Sequence, residues 1–485
     1  MRAFTLDRTI ALILVCLLAA LAIRVPVDTD TWWHIRSGEV TLTQGMIYTD
    51  PFSHTKAGEP WINHSWGAQV IMYGVYQALD SAGLSLLQAA LAVGGMMILY
   101  RVSPGTPLVR AFIMILGAAT AAVFWSARPQ MFTFFLSCLV LALLIDAKRG
   151  RDHLWALPII MGIWGNLHAG FSIGFLLMGG ALVGEMLNRL MGLPALAWPK
   201  IGKLAGMIGL SVLALLVNPY GTAMLAVPFQ TVNIGALRQY IQEWNSPDFQ
   251  GRETWPFILL TMALFAAAWV SRAPFDWTFF ALVSGSFFLA LMYGRNVAFF
   301  ATVATPVLSD LTANALRERG WLQARRALAS ARFNRLNAIF LVVVILGVGL
   351  YALGVLLPAT VRQAQEKYLP IKAVEYLNTH NPPGLMFNSY NWGGYLMFAA
   401  PQYKVFIDGR TDLYGDFLTT YYNTAQGWDG WQTVLDQYHI RLVVVEATSG
   451  LAEALRQSPE WTLAYEDQSI DGAPRLAAIF TRVGG

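Results

Sequence analysis

The chain has 485 residues, 56% of them hydrophobic and only 13% charged, with a mean hydropathy of +0.48. A soluble domain carries about 25% charged residues, so half that share over this length excludes an ordinary soluble protein and points to the membrane. The net charge of +4 gathers in no dense Lys/Arg run, which argues against nucleic acid as a partner.

A bilayer core of ~30 Å takes about 17–25 apolar residues in a helix. Such runs predict about eleven spans, at 9–24, 83–100, 110–126, 129–146, 153–167, 170–187, 204–218, 255–271, 276–292, 296–310 and 337–357. The first also resembles a signal peptide ending at Ala20-Leu21-Ala22, and cleavage there leaves the later topology unchanged. Cys16 and Cys138 sit inside these runs, away from any CxxC or Cys/His cluster, and read as core or lipid-facing residues. A first outer loop, 25–82, follows the first span. Its segment 31–44 mixes Trp32, Trp33 and Ile35 with His34, Arg36 and Glu39, which predicts a helix lying flat on the membrane surface. Segment 66–79 is expected along the interface or as a half-helix, because a full crossing would invert every later loop.

Placing the N-terminus inside puts seventeen Lys/Arg in the inner segments, from Arg2 and Arg8 to Arg325, Arg326 and Arg335. Only six then fall in outer loops: Arg36, Lys56, Arg128, Arg238, Arg252 and Arg295. Positive residues favour the cytoplasmic side, and an odd number of spans leaves residues 360–485 outside. Those residues change character. Short apolar runs at 384–387, 404–407, 441–445 and 475–480 have strand composition, and helix-like stretches at 370–379, 391–400, 413–438 and 449–457 lie between them. The expected fold is therefore mainly α: a polytopic helical bundle over 1–359 with a C-terminal extracytoplasmic α/β domain over 360–485. No GxGxxG or P-loop suggests a nucleotide site in that domain.

Unusual residues collect on the outer face. The first loop carries Asp28-Thr-Asp30-Thr-Trp32-Trp33-His34-Ile-Arg36-Ser-Gly38, then Thr49-Asp50-Pro51-Phe52-Ser53 and Trp61-Ile-Asn-His64-Ser-Trp66. Later outer turns carry Arg128-Pro-Gln130, Asn166-Leu-His168-Ala-Gly170, Asn218-Pro-Tyr220-Gly, Glu243-Trp-Asn-Ser-Pro-Asp248 and Arg295-Asn296. Ionisable groups near membrane depth are costly and tend to face a cavity. The bland alternative is interface chemistry, with Trp and His at headgroup level and Asp30 capping the following helix. In the C-terminal domain, Asn388-Ser-Tyr-Asn391-Trp392-Gly-Gly-Tyr-Leu and Phe406-Ile-Asp408-Gly-Arg410-Thr-Asp412-Leu-Tyr414 stand out, the first as a strand end feeding a capped helix and the second as a charged turn. Asp408, Arg410 and Asp412 either brace that turn internally or, with the first segment, face the cavity and contact an acceptor.

These motifs, from Asp28 to Tyr414, resemble those of a group of bacterial membrane proteins with a DxDxWWHxRxG first outer loop. The layout also resembles the wider GT-C glycosyltransferases, in which a large first outer loop carries one or two essential acids and a soluble domain often ends the chain. The resemblance implies a bacterial inner-membrane enzyme moving a sugar from a polyprenyl-phosphate donor to a glycan, lipid or protein acceptor, with membrane lipids around it. Asp30 or Asp28 would take the acceptor proton. Arg128, His168 and Arg295 would stabilise the leaving phosphate as cations, and His34, Arg36, His64, Trp32 and Trp33 would complete the substrate site. A divalent metal, Mg or Mn, held by Asp28 and Asp30 belongs to the same expectation. Two competing readings are a transporter or flippase for a lipid-linked glycan, against which the halves show no internal repeat, and an inactive GT-C-like assembly subunit.

Overall fold

A computed structural model describes residues 6–321, 331–467 and 476–484. Its helices are α1 (Leu6–Ala22), α2 (Thr31–Gln44), α3 (Trp66–Val102), α4 (Pro107–Ala121), α5 (Gln130–Lys148), α6 (Ala156–Leu167) and α7 (Phe171–Leu190). There follow α8 (Trp198–Leu215), α9 (Ala223–Val232), α10 (Gly235–Tyr240), α11 (Trp255–Val270), α12 (Trp277–Met292), α13 (Val297–Glu318) and α14 (Ala331–Leu356). Every expected span falls on one of these helices. Among the described residues, seven helices are long and apolar enough to cross a membrane. Arg2, Arg325 and Arg326 lie outside the described residues.

Local chemistry sets several helix starts. Thr106 accepts the Val109 N–H with Pro107 in the first turn of α4, and Asp276 accepts the Thr278 N–H to open α12. The chain of α3 breaks direction at Asp80, a non-glycine residue with φ 52° and ψ −151°. That left-handed, sparsely populated conformation divides α3 into a half-helix over 66–79 and a membrane-length run beyond it. At the helix ends of α3, α5, α7 and α12 opposite the turns that carry Asp28, Arg128 and Arg295, Lys148 contacts Glu185 at 2.5 Å and Asp276 at 3.1 Å, and Arg101 contacts Asp146 at 2.7 Å. These pairs satisfy acids that membrane burial would otherwise leave unpaired.

Helix α2 forms over the expected residues but does not lie on a membrane surface. Trp32, Trp33, His34 and Ile35 are all buried in protein. One face meets α3 so closely that a side chain at Gly38 would stand 2.2 Å from the Gln69 carbonyl oxygen. The other meets the C-terminal domain. The sequence pattern that suggested an interfacial helix is that of a helix clamped between two protein layers.

The domain begins with α15 (Pro358–Gln365) and α16 (Ile371–His380), then β1 (Leu385–Asn388), α17 (Tyr390–Ala399), α18 (Thr411–Tyr414), α19 (Phe417–Ala425) and α20 (Trp431–Gln437). It ends with β2 (Ile440–Glu446), α21 (Gly450–Gln457), β3 (Trp461–Glu466) and β4 (Ala477–Arg482). The sheet order is β1-β2-β4-β3, with β1 parallel to β2 and β4 antiparallel to both β2 and β3. Three expected strands are present, although Arg475 lies outside the described residues. The run 404–407 is not a strand of this sheet. Val405 pairs with the segment between α2 and α3, exchanging backbone hydrogen bonds with Phe52 and His54, while Asn388 takes the Phe406 N–H and donates to the Ile407 carbonyl. The fourth strand is β3, whose half-exposed Trp-Thr-Leu-Ala-Tyr-Glu carries too weak a pattern to stand out. The single helix expected over 413–438 is three short ones, broken at Gly415 and Gly430, which adopt positive φ of 51° and 93°.

The domain's apolar core is completed from outside it. Trp33 and Val40 of α2, with Ile47, Phe52 and Trp61 of the segment after it, pack with Met386, Trp392, Leu396, Val405 and Leu442. At the centre of this joint lies Arg410, fully buried. It donates to Asp50 at 2.6 Å and to both oxygens of Asp408 at 2.7 and 2.8 Å. Its guanidinium sits over the rings of Trp61 and Phe52, 4.7 and 5.1 Å away, and Tyr414 donates to Asp408 at 2.8 Å.

Candidate active site

A cavity of about 1500 Å³ opens between one end of the helical bundle and the C-terminal domain. Asp28, Asp30, Trp33, His34, His64, Arg128, His168, Arg295 and Asp412 all line it. Six separate segments of the chain deliver them, so neighbours in space are distant in sequence.

The acids are held by local geometry. Asp28 accepts the backbone N–H of Asp30 at 3.0 Å, and Thr31 donates to the Ala127 carbonyl at 3.0 Å, fixing the turn against the Arg128 loop. Asp30 stands at the start of α2 yet makes no side-chain cap. Its oxygens instead take the Trp33 indole N–H at 3.2 Å and the Arg128 guanidinium at 2.8 Å. The capping alternative therefore fails, because the carboxylate turns away from the helix and into the cavity. Gly409 makes this possible. A side chain there would stand 2.0 Å from Asp30 Oδ1, and one at Gly394 would stand 2.9 Å from the Thr29 carbonyl. Two glycine-bearing motifs of the domain thus form the close roof over the acid turn.

Arg128 is the hub. It contacts Asp28 at 3.2 Å, Asp30 at 2.8 Å and Glu243 at 3.3 Å. Glu243 also faces Arg295 at 3.7 Å, and Arg295 lies 4.5 Å over the Trp244 ring. Burial pushes the Asp30 carboxyl up to about 6, with Arg128 opposing and Asp28 and Glu243 adding to the rise. Burial acts on Glu243 in the same sense, but Arg295 and Arg128 outweigh it and hold that carboxyl below its ordinary value.

The histidines behave differently from expectation. Burial first, then Arg128, His64 and His168, hold His34 well below the usual imidazole value; burial, then His64, Arg295 and Arg128, do the same to His168, and His64 is also lowered, chiefly by burial. The lowering favours the uncharged ring at neutral pH, which leaves His168 an N–H and not a positive charge to offer. Its tautomer follows from its partners. Trp164 donates to the Thr133 hydroxyl at 2.9 Å, and the His168 Nδ1 accepts from that hydroxyl at 2.9 Å and from Gly170 N–H at 3.1 Å. The proton therefore sits on Nε2. His34 Nδ1 likewise accepts from Gln69 at 3.2 Å. The His64 and His168 rings stand 5.8 Å apart.

Four expected site residues fall elsewhere. Trp32 is buried among Tyr76, Tyr395 and Phe398, and Arg36 pairs with Glu39 at 2.6 Å, both outside the cavity lining. A one-residue step along α2 separates Trp32 from Trp33, and it carries them to different faces. Asp408 and Arg410 lie in the closed joint, where neither reaches an acceptor. Asp412 does reach the cavity, accepting the Trp61 indole N–H at 3.1 Å. The sequence reading passed over Glu243, though its Glu-Trp motif was already among the outer-face signals. It also passed over Tyr240 and Tyr422, which line the domain-side wall beside Tyr390 and Asn391 and carry no charge to mark them.

The polar floor meets an apolar wall: Phe171, Phe175 and Leu176 of α7, Val212 of α8, and Leu225, Phe229 and Val232 of α9. The arrangement presents an amphipathic ligand with anion-binding donors at one end and an apolar groove at the other.

The likeness is to an archaeal oligosaccharyltransferase. The structure of AglB from Archaeoglobus fulgidus in complex with an inhibitory peptide and a dolichol-phosphate matches 98% of this chain and 74% of that one, with TM-score 0.51 and 12% identity. The same oligosaccharyltransferase tethered to an acceptor peptide containing the NVT sequon matches with TM-score 0.54 over the same shares and at the same identity. At that identity the likeness shows the fold alone. No family model and no curated protein sequence matches the chain.

The expected metal does not fit the groups as they stand. Among the described residues, no cluster of three or more His, Cys, Asp or Glu is arranged to hold a metal ion. Asp28 and Asp30 direct their oxygens to Arg128, so no step below is routed through a metal.

Proposed function

We propose that the chain is a GT-C glycosyltransferase that moves a sugar from a polyprenyl-phosphate-linked donor to a hydroxyl acceptor outside the bacterial inner membrane. The observation that carries the reading is one cavity that joins an ionisable carboxylate, Asp30, to an anion-binding set and an apolar groove. The oligosaccharyltransferase-like fold supports it, as does a neighbour solved with a dolichol-phosphate. The prenyl chain lies along α7 and α9. Arg295 and the Nε2–H of His168 receive the phosphate, with His64 and His34 beside them. Asp28 and Arg128 hold Asp30 in position. The acceptor enters under the domain, along Asp412, Tyr390 and Asn391.

In the transfer, Asp30 takes the acceptor hydroxyl proton as the oxygen attacks the anomeric carbon from the face opposite the phosphate. The bond from that carbon to the phosphate oxygen breaks, and the polyprenyl phosphate leaves with the electron pair, so the configuration inverts. A carboxyl near 6 suits this work, being ionised at neutral pH yet still basic. The Lys/Arg distribution supports an N-terminus inside and residues 360–485 outside. A reporter active only outside the cytoplasm should therefore be active when fused after Gly485 and silent when fused after Arg326.

The test is Asp30→Asn, which keeps an oxygen for the Trp33 indole and removes proton acceptance. At matched protein level, product formation should fall ~10²–10⁴-fold. Full activity of both Asp30→Asn and Asp28→Asn would reject the carboxylate-base mechanism and favour transport or docking.

A further inference from the structure

Three carboxylates gather around one guanidinium at the cavity wall, and as they stand their oxygens form no metal-holding cluster among the described residues. The contacts are one per carboxylate, spread over different nitrogens: Asp28 on Nε, Asp30 on Nη1 and Glu243 on Nη2. The Arg128 side chain is 16% exposed and is held from behind, where Nε also lies 3.2 Å from the Ser126 hydroxyl. Gln130 fixes the same turn, donating to the Phe124 carbonyl at 2.8 Å and to the Ser126 hydroxyl at 3.1 Å. Arg128 therefore arrives from a braced turn, with its nitrogens committed to protein oxygens.

We propose that Arg128 is a built-in cation for these three acids, standing where a divalent metal would otherwise sit, and that the site works without one. Its role is positioning. It neutralises and orients Asp28, Asp30 and Glu243, and it leaves Arg295, whose nearest acid is 3.7 Å away, as the cation available to the donor phosphate. Arginine suits this place because its charge is permanent and its planar fork reaches several carboxylates in fixed directions, which lysine cannot match. Removing the guanidinium while keeping the acids would leave a cradle of carboxylate oxygens open to a hard divalent cation.

The experiment titrates Mn²⁺ into the purified full chain in detergent micelles after chelator treatment, following free Mn²⁺ by electron paramagnetic resonance. The wild type should bind no Mn²⁺ at micromolar concentrations. Arg128→Gln, and in parallel Arg128→Ala, should bind one per chain, and adding Asp30→Asn should weaken that binding. The activity arm rests on the transferase reading above. Wild-type turnover should be indifferent to chelator, whereas Arg128→Gln should lose ~10²-fold, the scale of losing a positioned electrostatic group, and regain part of it with Mn²⁺. The binding arm needs no turnover, so failure of the transferase reading and failure of this inference are distinguishable. One Mn²⁺ bound by the wild type and lost in Asp28→Asn would overturn the proposal. So would failure of both folded Arg128 variants to bind any. If neither variant folds, the wild-type titration and its chelator response still decide.

Discussion

The molecule contains two clusters in which an arginine gathers aspartates, and they could hardly differ more in consequence. Around Arg410 every oxygen is committed, both carboxylates and the guanidinium are sealed from solvent, and two aromatic rings close the faces. Around Arg128 the same residue types stand at the wall of a large cavity, with Asp30 28% exposed and Glu243 27% exposed. A closed pair cannot exchange a proton with a ligand and can only hold the structure together. An open one keeps carboxylate surface available, and partial desolvation tunes it. Sequence alone assembles neither cluster, since Asp30 stands 98 positions from Arg128 and Asp50 stands 360 from Arg410. The difference lies in what packs over them.

The largest expected effect breaks the closed cluster. Arg410→Ala leaves two aspartates buried without a counter-charge, which typically costs 3–5 kcal/mol. The variant should show a markedly lower thermal midpoint in detergent and poor accumulation in membranes. Gly409→Ala links the two clusters, because the added methyl meets the Asp30 carboxylate. Overpacking of this kind costs about 1–3 kcal/mol, and activity should fall further than stability explains when the two are measured on the same preparation. Glu243→Gln sharpens the open side. It removes one charged partner of Arg128 and Arg295 and should lower kcat/KM about 10–100-fold, the scale of one charge-assisted hydrogen bond, at unchanged protein level.

The pH profile comes next. Asp30 must be ionised to act as the base. With its carboxyl raised to about 6, kcat/KM should lose about tenfold per pH unit below that value and level off above it. The histidines, held below their usual range, add no limb near neutrality. The linkage runs the other way for stability. A carboxyl raised on folding binds its proton more tightly in the folded chain, so this group favours the fold increasingly as pH drops from 7 through 6 toward 4. The smallest effect belongs to Arg36→Ala, which breaks only an i,i+3 pair with Glu39 outside the cavity. Such pairs contribute about 0.3–0.5 kcal/mol, and turnover should stay at the wild-type level.

Much of the bundle was legible because membrane helices announce themselves by length and composition, and every expected span falls on a helix. The acid turn was legible as well, since two aspartates beside Trp-Trp-His at a membrane boundary have few ordinary uses. What escaped was anything decided by a distant partner. Residues 404–407 look like a strand and instead spend their backbone on Phe52, His54 and Asn388. Trp32 and Trp33 look equivalent and point to different faces. His168 looks like a cation until burial and its tautomer are known. Glu243 was visible in its motif, but its place beside Arg128 depends on a fold that brings together residues 115 positions apart.

The joint at Arg410 also has a temporal side. Asp50 and Arg410 are separated by 360 positions, so the acid turn is synthesised and inserted long before the chain that roofs it. Until residues 385–414 emerge, Trp33, Phe52 and Trp61 have no domain core to enter, and Asp50 has no guanidinium. The nascent bundle therefore carries its acids without the cover that tunes them. Maturation of the site becomes a late event of biogenesis, coupled to delivery of the final domain to the same side of the membrane as the first loop.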